Sequence, residues 1–353
     1  MKNKPRPRLK QDEFDLLQQY RGLKQASDDV NIDLSWMKLA WIKTKKVSVL
    51  VTNPAYKSPE QKAVEFDLSG IIKKYVKPIK YTPNKIESKW LFDRLVYTDV
   101  HIGMNPNENG FSLYGGKWDE EDLMKSAQKM VELTLEEKKS NVLFIDDLGD
   151  LMDGWDGETV RKGHKLPQNM DNEKAFDAAL KFKIFLLDAL CDKYEKIICR
   201  NICNDNHSGS FGYVVNSSIK QFAEVKYSNV EVINQRKFLE SYTYKGHSFI
   251  LTHGKDSKAL KFGFKPNLDK KSENKIDNFI KQNRIEGKIE FSKGDSHQCV
   301  FDDATSDTFS YYNYPALSPS SEWVQTNFQK GKRGFVFLNF KKDRKIINPY
   351  FFG

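Results

Sequence analysis

Cysteine is scarce in this chain: only Cys191, Cys199, Cys203 and Cys299 occur, with no Cys-x-x-Cys pair. That excludes a disulfide-dense scaffold and predicts a reducing, cytoplasmic setting in which the thiols are small core residues. No apolar run approaches the ~18 residues that a membrane span requires. The basic start, MKNKPRPRLKQDEF, has no apolar stretch behind it, so no secretory leader and no membrane partner are expected. Internal repeats and low-complexity tracts are missing as well. What is present is a globular composition, with 39% hydrophobic, 13% aromatic and 30% charged residues among 353. Such a chain can bury a sizeable core. Its net charge of +9 suits a polyanionic partner without specifying one.

A break near residue 85 divides the chain into an extension, 1–85, and a main domain, 86–353. In the extension, Phe14, Leu16, Leu17, Tyr20 and Leu23 recur at roughly helical spacing. A second helix, capped by Asp33 or Ser35, is expected through Trp36, Leu39 and Trp41. Residues 47–52 read as a strand, 58–76 as a helix, and 77–85, with two prolines, as a linker. The extension is therefore expected to be small and mainly helical. A winged helix-turn-helix carrying Lys43, Lys45 and Lys46 to DNA is one form of it. A helical piece packed on the main domain is the other, and the sequence leaves both open.

Beyond Trp90 an apolar run ending in a polar motif recurs. Leu91–Tyr97 leads into Asp99-Val100-His101, and Asn141–Ile145 into Gly149-Asp150. Residues 196–199 lead towards Asn206-His207, 248–251 into His253-Gly254, and 288–291 into Gly294-Asp295-Ser296-His297. Amphipathic stretches at 119–139 and 172–193 lie between them, and 269–288 is lysine-rich and polar, read as a solvated helix or loop. Strands alternating with helices predict an α/β sandwich with its site at strand ends. Of six histidines, four (His101, His207, His253, His297) follow such runs beside an Asp, Asn or Gly; His164 and His247 do not. Imidazole and carboxylate together ligate Zn, Fe or Mn, and one carboxylate can bridge two ions. Two ions about 3.5–4 Å apart can stabilise an in-line phosphoryl displacement.

The ordered set Asp-x-His, Gly-Asp-x-x-Asp, Asn-His, His, Gly-x-x-His resembles the calcineurin-like metallophosphoesterase superfamily over residues 90–300. The resemblance implies a two-sheet sandwich flanked by helices, closed by a strand at 335–340. It also implies two divalent ions, and a departure from the pattern at Asp295 puts Mn ahead of Zn, Fe or Mg. Asp99, His101 and His297 would hold the first ion, Asp150 would bridge, and Asn206, His253 and Asp295 would hold the second. His207 would assist the leaving group as a catalytic residue that is not a ligand, oriented by Asp153. Three departures stand out. Asp295 occupies a position that is usually histidine, which adds negative charge and favours a harder ion. The middle motif is Asp205-Asn206-His207-Ser208, without the usual preceding glycine or following acid, leaving Asp153 or Asp205 to orient His207. Gly154-Trp155 follows the second motif where protein phosphatases carry a phosphate-gripping arginine, which counts against a phosphoprotein substrate.

The stretch 154–172 carries Trp155, Arg161, Lys162, His164 and Lys165, types that stack on bases and contact phosphates. It is similar to DNA-processing members of the superfamily, including double-strand-break-repair nucleases and phage-encoded relatives. The function so implied is a metal-dependent phosphodiesterase, a nuclease on DNA, in the cytoplasm of a bacterium or a phage-infected host. The alternatives are a phosphomonoesterase or small-nucleotide phosphodiesterase, and a non-catalytic DNA-binding subunit.

Overall fold

The computed structural model describes residue 24 and residues 38–43, 48–53, 68–79, 85–112, 116–161, 163–254, 266–327 and 331–352. The chain separates into two compact units, Met1–Leu68 and Ser69–Gly353. In the first, the described residues form an antiparallel hairpin, β1 (Leu39–Lys43) with β2 (Ser48–Thr52), in register Leu39↔Thr52 to Lys43↔Ser48. The second strand was expected. The first corrects the helix expected through Leu39 and Trp41. Backbone pairing along the whole of both segments decides the conformation there. The helix expected over 12–24 lies almost wholly outside the described residues, as do Trp36, Lys45 and Lys46. Of the helix expected at 58–76, the part described is α1 (Leu68–Tyr75).

The larger unit alternates as its sequence rhythm predicts. Its further helices are α2 (Glu120–Glu136), α3 (Asn172–Leu190), α4 (Gly209–Lys226), α5 (Lys270–Asn283) and α6 (Glu322–Asn327). A six-stranded sheet runs in the order β13 (Lys345–Phe351), β12 (Gly334–Phe340), β3 (Phe92–Tyr97), β4 (Val142–Asp147), β5 (Lys196–Ile202), β6 (Val230–Gln235). Strands β3 to β6 are parallel, and β12, the closing strand expected at 335–340, returns antiparallel beside β3. The second sheet has five strands, in the order β10 (Val300–Asp302), β11 (Ser310–Asn313), β9 (Lys288–Lys293), β8 (His247–Thr252), β7 (Leu239–Tyr244). Here β8, β9 and β11 are parallel.

Side-chain alternation assigns the layers. Phe92, Val96, Phe144 and Ile198 meet Phe249, Leu251 and Tyr312 between the sheets. Their neighbours Leu95, Tyr97, Leu143, Ile145 and Ile197 turn the other way, onto Leu123, Met130, Phe182 and Val215 of the helices. Ile250 and Phe291 face Ile276 and Ile280 of α5. The order is helix, sheet, sheet, helix, so the central strands are buried on both faces and read as continuous apolar runs. Helix starts follow carboxylate caps: Asp119 accepts from Asp122 N at 3.1 Å, and Asp171 from Lys174 N at 2.9 Å. No helix among the described residues is long and apolar enough to cross a membrane.

Buried polar side chains also bridge the two sheets, Arg94 the most deeply enclosed of them. Arg94 on β3 is fully buried; its Nε donates to Asp146 Oδ2 at 2.5 Å and its Nη1 to Glu290 of the opposite sheet. Ser292 Oγ accepts from Nη2 at 3.0 Å, and Tyr242 donates to the same Asp146 oxygen at 2.9 Å. Both carboxylates and the guanidinium are thereby compensated where water is excluded.

Candidate metal centre

Every residue expected at the site follows the carboxyl end of a parallel strand: Asp99 and His101 after β3, Asp150 and Asp153 after β4, Asn206 and His207 after β5, His253 after β8, Asp295 and His297 after β9. This is the edge on which open α/β sheets gather ligand-binding groups. The backbone there is unusual. Eight described non-glycine residues have positive φ, and five of them are Asp99, His101, Asp150, Asp295 and His297. Such conformations persist only where surrounding contacts over-determine them. Those contacts are visible: Asp99 N donates to Gly149 O and His101 N to Asp150 O, each at 3.0 Å, while Gly294 N donates to His253 O at 3.1 Å. Gly149, at φ +104°, is needed twice over, because a Cβ there would stand 3.2 Å from both His253 and Asp205.

The side chains converge. Three sets of ligand atoms lie mutually within 4.8 Å: Asp99, His101 and His297; His101, Asp150 and His207; and Asp99, Asp150 and His253. Asp150 Oδ2 is 2.9 Å from His253 Nε2 and 3.9 Å from Nε2 of both His101 and His207. Asp99 Oδ1 lies 3.2 Å from His297 Nε2, and Asp295 Oδ1 lies 3.7 Å from His253 Nε2. Asn206 contributes a buried Oδ1. Asp99 is held in turn by Thr98 Oγ1 at 2.8 Å and by Asp295 N at 3.1 Å, both on its Oδ2.

Whether these residues suit divalent ions can be judged from what they leave unsatisfied. Asp99 Oδ1, His101 Nε2, Asn206 Oδ1, His253 Nε2, Asp295 Oδ2 and His297 Nδ1 are buried and make no well-aligned hydrogen bond among the described residues, although His253 Nε2 and Asp99 Oδ1 each have an oppositely charged neighbour within 3.2 Å. Buried polar atoms are ordinarily paired, and six orphans in one cluster are what a ligand set without its ions looks like. The outer contacts agree. His253 Nδ1 lies 3.1 Å from Leu148 O and His101 Nδ1 lies 3.1 Å from Asp153 Oδ1, which frees both Nε2 atoms to point inward. The residues present therefore fit divalent metal ions.

Electrostatics point the same way. Burial by itself would lower the His253 pKa, yet Asp150 and Asp99 beside it raise it to about 10. Burial opposes it likewise at Asp99, but the His297 and His253 imidazoles hold that carboxyl well below the carboxylate range. Asp295 is pushed up by burial. A cluster that draws protons onto its imidazoles presents the same negative field to a cation, with proton and metal in competition.

His207 has the most accessible ring of the four, its side chain 20% exposed against 13% for His297, 4% for His101 and none for His253. Its Nδ1 lies 2.8 Å from the Asp153 carbonyl oxygen and 3.5 Å from Asp153 Oδ1. Asp153 thus contacts two imidazoles, with its carboxylate nearer to His101 than to His207. Asp205 does not reach His207; it accepts from Ser208 N, Ser208 Oγ and Gly209 N and so closes the start of α4. Its pKa is raised to about 6, chiefly by burial. Of the stretch after Gly154, Trp155, His164 and Lys165 are exposed, Arg161 Nη2 donates to Asn204 Oδ1 at 3.2 Å, and Lys162 lies outside the described residues.

No family model matches the chain, and no curated protein does. Among solved structures, the 5'-nucleotidase from Candida albicans SC5314 is 12% identical over 76% of this chain, with a TM-score of 0.30. The chain spans about half of that protein, 53% of its length. So loose a likeness leaves the reading to the side chains themselves.

Two contributors were not read from the sequence. Lys293 is fully buried behind the site, its Nζ donating to Gly294 O at 2.8 Å and Asn313 Oδ1 at 3.0 Å. Thr98 anchors Asp99. Lys293 ends a β-run directly before Gly294-Asp295, a position where a lysine could have drawn attention; Thr98 gave no signal.

Proposed function

We propose that the chain is a metal-dependent phosphodiesterase that cleaves nucleic acid, DNA in the first instance, with two divalent ions at the Asp99–His297 cluster. The observation that carries this reading is the convergence of six orphaned, buried ligand atoms from four strand ends, around Asp150 from a fifth. In the proposed arrangement Asp99, His101 and His297 hold one ion, Asn206, His253 and Asp295 the other, and Asp150 is shared. Bound ions at such a centre supply a Lewis acid for the phosphoryl oxygens and lower the pKa of water. The protein's own part is to fix the ligands, exclude most water and place a proton donor. His207, held through Nδ1 by the Asp153 carbonyl with Nε2 towards the cluster, is suited to protonate a leaving oxygen. Three carboxylates and an amide oxygen make the donor set oxygen-rich, which favours manganese over softer choices. The net charge of +9 and the exposed Lys165 favour a polyanion.

The test is a panel of labelled single- and double-stranded DNA, RNA, cyclic nucleotides, phosphomonoesters and a bis-aryl phosphodiester, each with Mn, Mg or Zn. Chelator-sensitive cleavage of DNA supports the proposal. Turnover of monoesters alone makes the chain a phosphomonoesterase. DNA binding without cleavage under any metal overturns the enzyme reading.

A further inference from the structure

A second feature adjoins the cluster. A cleft of about 850 Å³ opens between the loop after Gly154 and the starts of α3 and α4, walled by Trp155, Phe176 and Phe211 with Val160 and Val214. Its volume falls within the range of small-ligand sites. The aromatic wall is pinned: the Trp155 and Phe211 rings sit 4.8 Å apart at 78°, and Trp155 and Glu158 exchange both backbone hydrogen bonds. Gly154 permits that turn, since a Cβ there would come within 2.3 Å of Glu158 O. Even so, Trp155 remains 47% exposed and Val214 53%, an apolar surface in open contact with solvent.

The cleft is tied to the metal centre through the chain itself. Val160 N donates to His207 O and Arg161 N to Asn206 O, both at 3.1 Å. Trp155 stands two residues past Asp153, and Phe211 four past His207. The cleft wall is thereby fastened to the loop that carries Asn206 and His207. Its polar lining is selective in sign: Glu158, Glu173 and Asp177 line it, with no lysine or arginine among the described lining residues. Carboxylates repel a further phosphate and accept hydrogen bonds from N–H donors. A flat group with a π-face and amino hydrogens satisfies both walls.

We propose that this cleft is a subsite for one unstacked nucleobase of the substrate, preferentially an amino-bearing base, stacked on Trp155. The proposal rests on the phosphodiesterase reading for the identity of the attached ester, but base binding is measurable without catalysis. In chelator, with no metal present, adenosine should quench tryptophan fluorescence saturably, and ribose 5-phosphate should not. Cytidine should bind more tightly than uridine, which carries an oxygen where cytosine carries its amine. Trp155→Ala should abolish the adenosine response, and Val214→Arg, an exposed helix position at the mouth, should weaken it without touching the aromatic wall. With metal restored, Trp155→Ala should lower kcat/KM for a p-nitrophenyl nucleoside phosphodiester by about 5- to 100-fold, the usual worth of one base stack. An alkyl p-nitrophenyl phosphodiester, which carries no base to stack, should lose less than the nucleoside ester does.

Quenching that survives both substitutions, or ribose 5-phosphate matching adenosine, overturns the subsite. Equal losses on both esters overturn it as well, because they would place Trp155 in the folding of the centre. Uridine equal to cytidine removes the role of the carboxylates and with it the preference for an amino-bearing base. Saturable, Trp155-dependent adenosine binding in a protein that hydrolyses no ester with any metal upholds the cleft and sinks the phosphodiesterase reading alone.

Discussion

Replacing Asp150 by Asn tests the centre with little disturbance to its backbone. Asp150 has φ +50°, a conformation that Asn also tolerates, and Asn retains an oxygen to accept from His207 N, now 3.2 Å from Oδ1. What is lost is one negative charge from a carboxylate that belongs to two of the three ligand sets. A unit charge pair at about 4 Å interacts by roughly 4 kcal/mol at an effective dielectric of about 20. An ion at ligand distance should therefore lose about 4 kcal/mol or more, about three orders of magnitude in affinity. The assay is thermal unfolding in chelator and then in rising Mn. Metal at about 100 times its Kd stabilises the wild type by about 2.7 kcal/mol, a rise in Tm of about 5 °C or more. At the same concentration a thousandfold weaker site is about one-tenth saturated, so Asp150→Asn should show no measurable rise over its own chelated form. Equal metal-dependent rises in both proteins would refute the shared role of Asp150, and no rise in the wild type would refute the metal centre.

His207→Ala should reduce turnover by about 10²–10⁴-fold with metal content near wild type, measured by elemental analysis; loss of an ion would make His207 a ligand. Chelator should abolish activity and Mn should restore it best, whereas Asp295→His should move the preference towards Zn; full recovery of the wild type with Zn alone would overturn the argument from hard oxygen ligands. Arg94→Met should cost about 3–5 kcal/mol in urea unfolding, because the buried Asp146 and Glu290 would lose the guanidinium they share, keeping neutral donors and, for Glu290, Lys345 at 3.7 Å. Burial works against it, but Arg94 holds the Glu290 pKa below its ordinary 4.5. The ion pair therefore contributes stability above pH 4.5 that disappears as pH falls through the lower folded value, and Glu290→Gln should flatten that acid limb.

The parts of the fold legible from sequence are those whose signal is local. Strands β3, β4, β8 and β9 are buried on both faces, so their apolar runs stand out, and α2 and α3 begin at aspartate caps. The unread strands β6 and β7 are half-exposed, as in Leu239-Glu-Ser-Tyr-Thr-Tyr244, where polar residues blur the run. Helix α4 escaped notice because Ser208 makes no side-chain cap; Asp205, three residues earlier, does that work by accepting from Ser208 N and Gly209 N. Strand β1 was misread because Trp36, Leu39 and Trp41 fit helical spacing, and only pairing with β2 decides against it. At the site, Asp and His beside glycine at strand ends were readable because the turns need residues that tolerate positive φ. The division of Asp153 between two imidazoles was not, since it depends on how β3 and β5 are spaced across β4.

Lys293 shows how the buried scaffold maintains that strained rim. Asp295 and His297 both have positive φ, at +67° and +52°, on a loop with little side-chain bulk of its own. Lys293 Nζ reaches Gly294 O at 2.8 Å and Ser296 Oγ at 3.4 Å, and Asn313 Oδ1 accepts from both Lys293 and Ser296. Three polar partners around a fully buried ammonium hold the loop against relaxation to ordinary backbone angles. The alkyl stem is fitted just as tightly, for a Cβ on Gly254 would meet Lys293 Cε at 2.6 Å. Lys293→Met keeps the stem and deletes the donors. Losing an outer support of this kind ordinarily costs about 10–100-fold in metal affinity. Metal titration should show that loss for Lys293→Met, with turnover recovering at saturating metal, because the lysine positions ligands and does not touch the reacting ester. If affinity is unchanged, the loop holds its geometry without Lys293. If turnover stays low at saturating metal, the ammonium acts on the substrate itself.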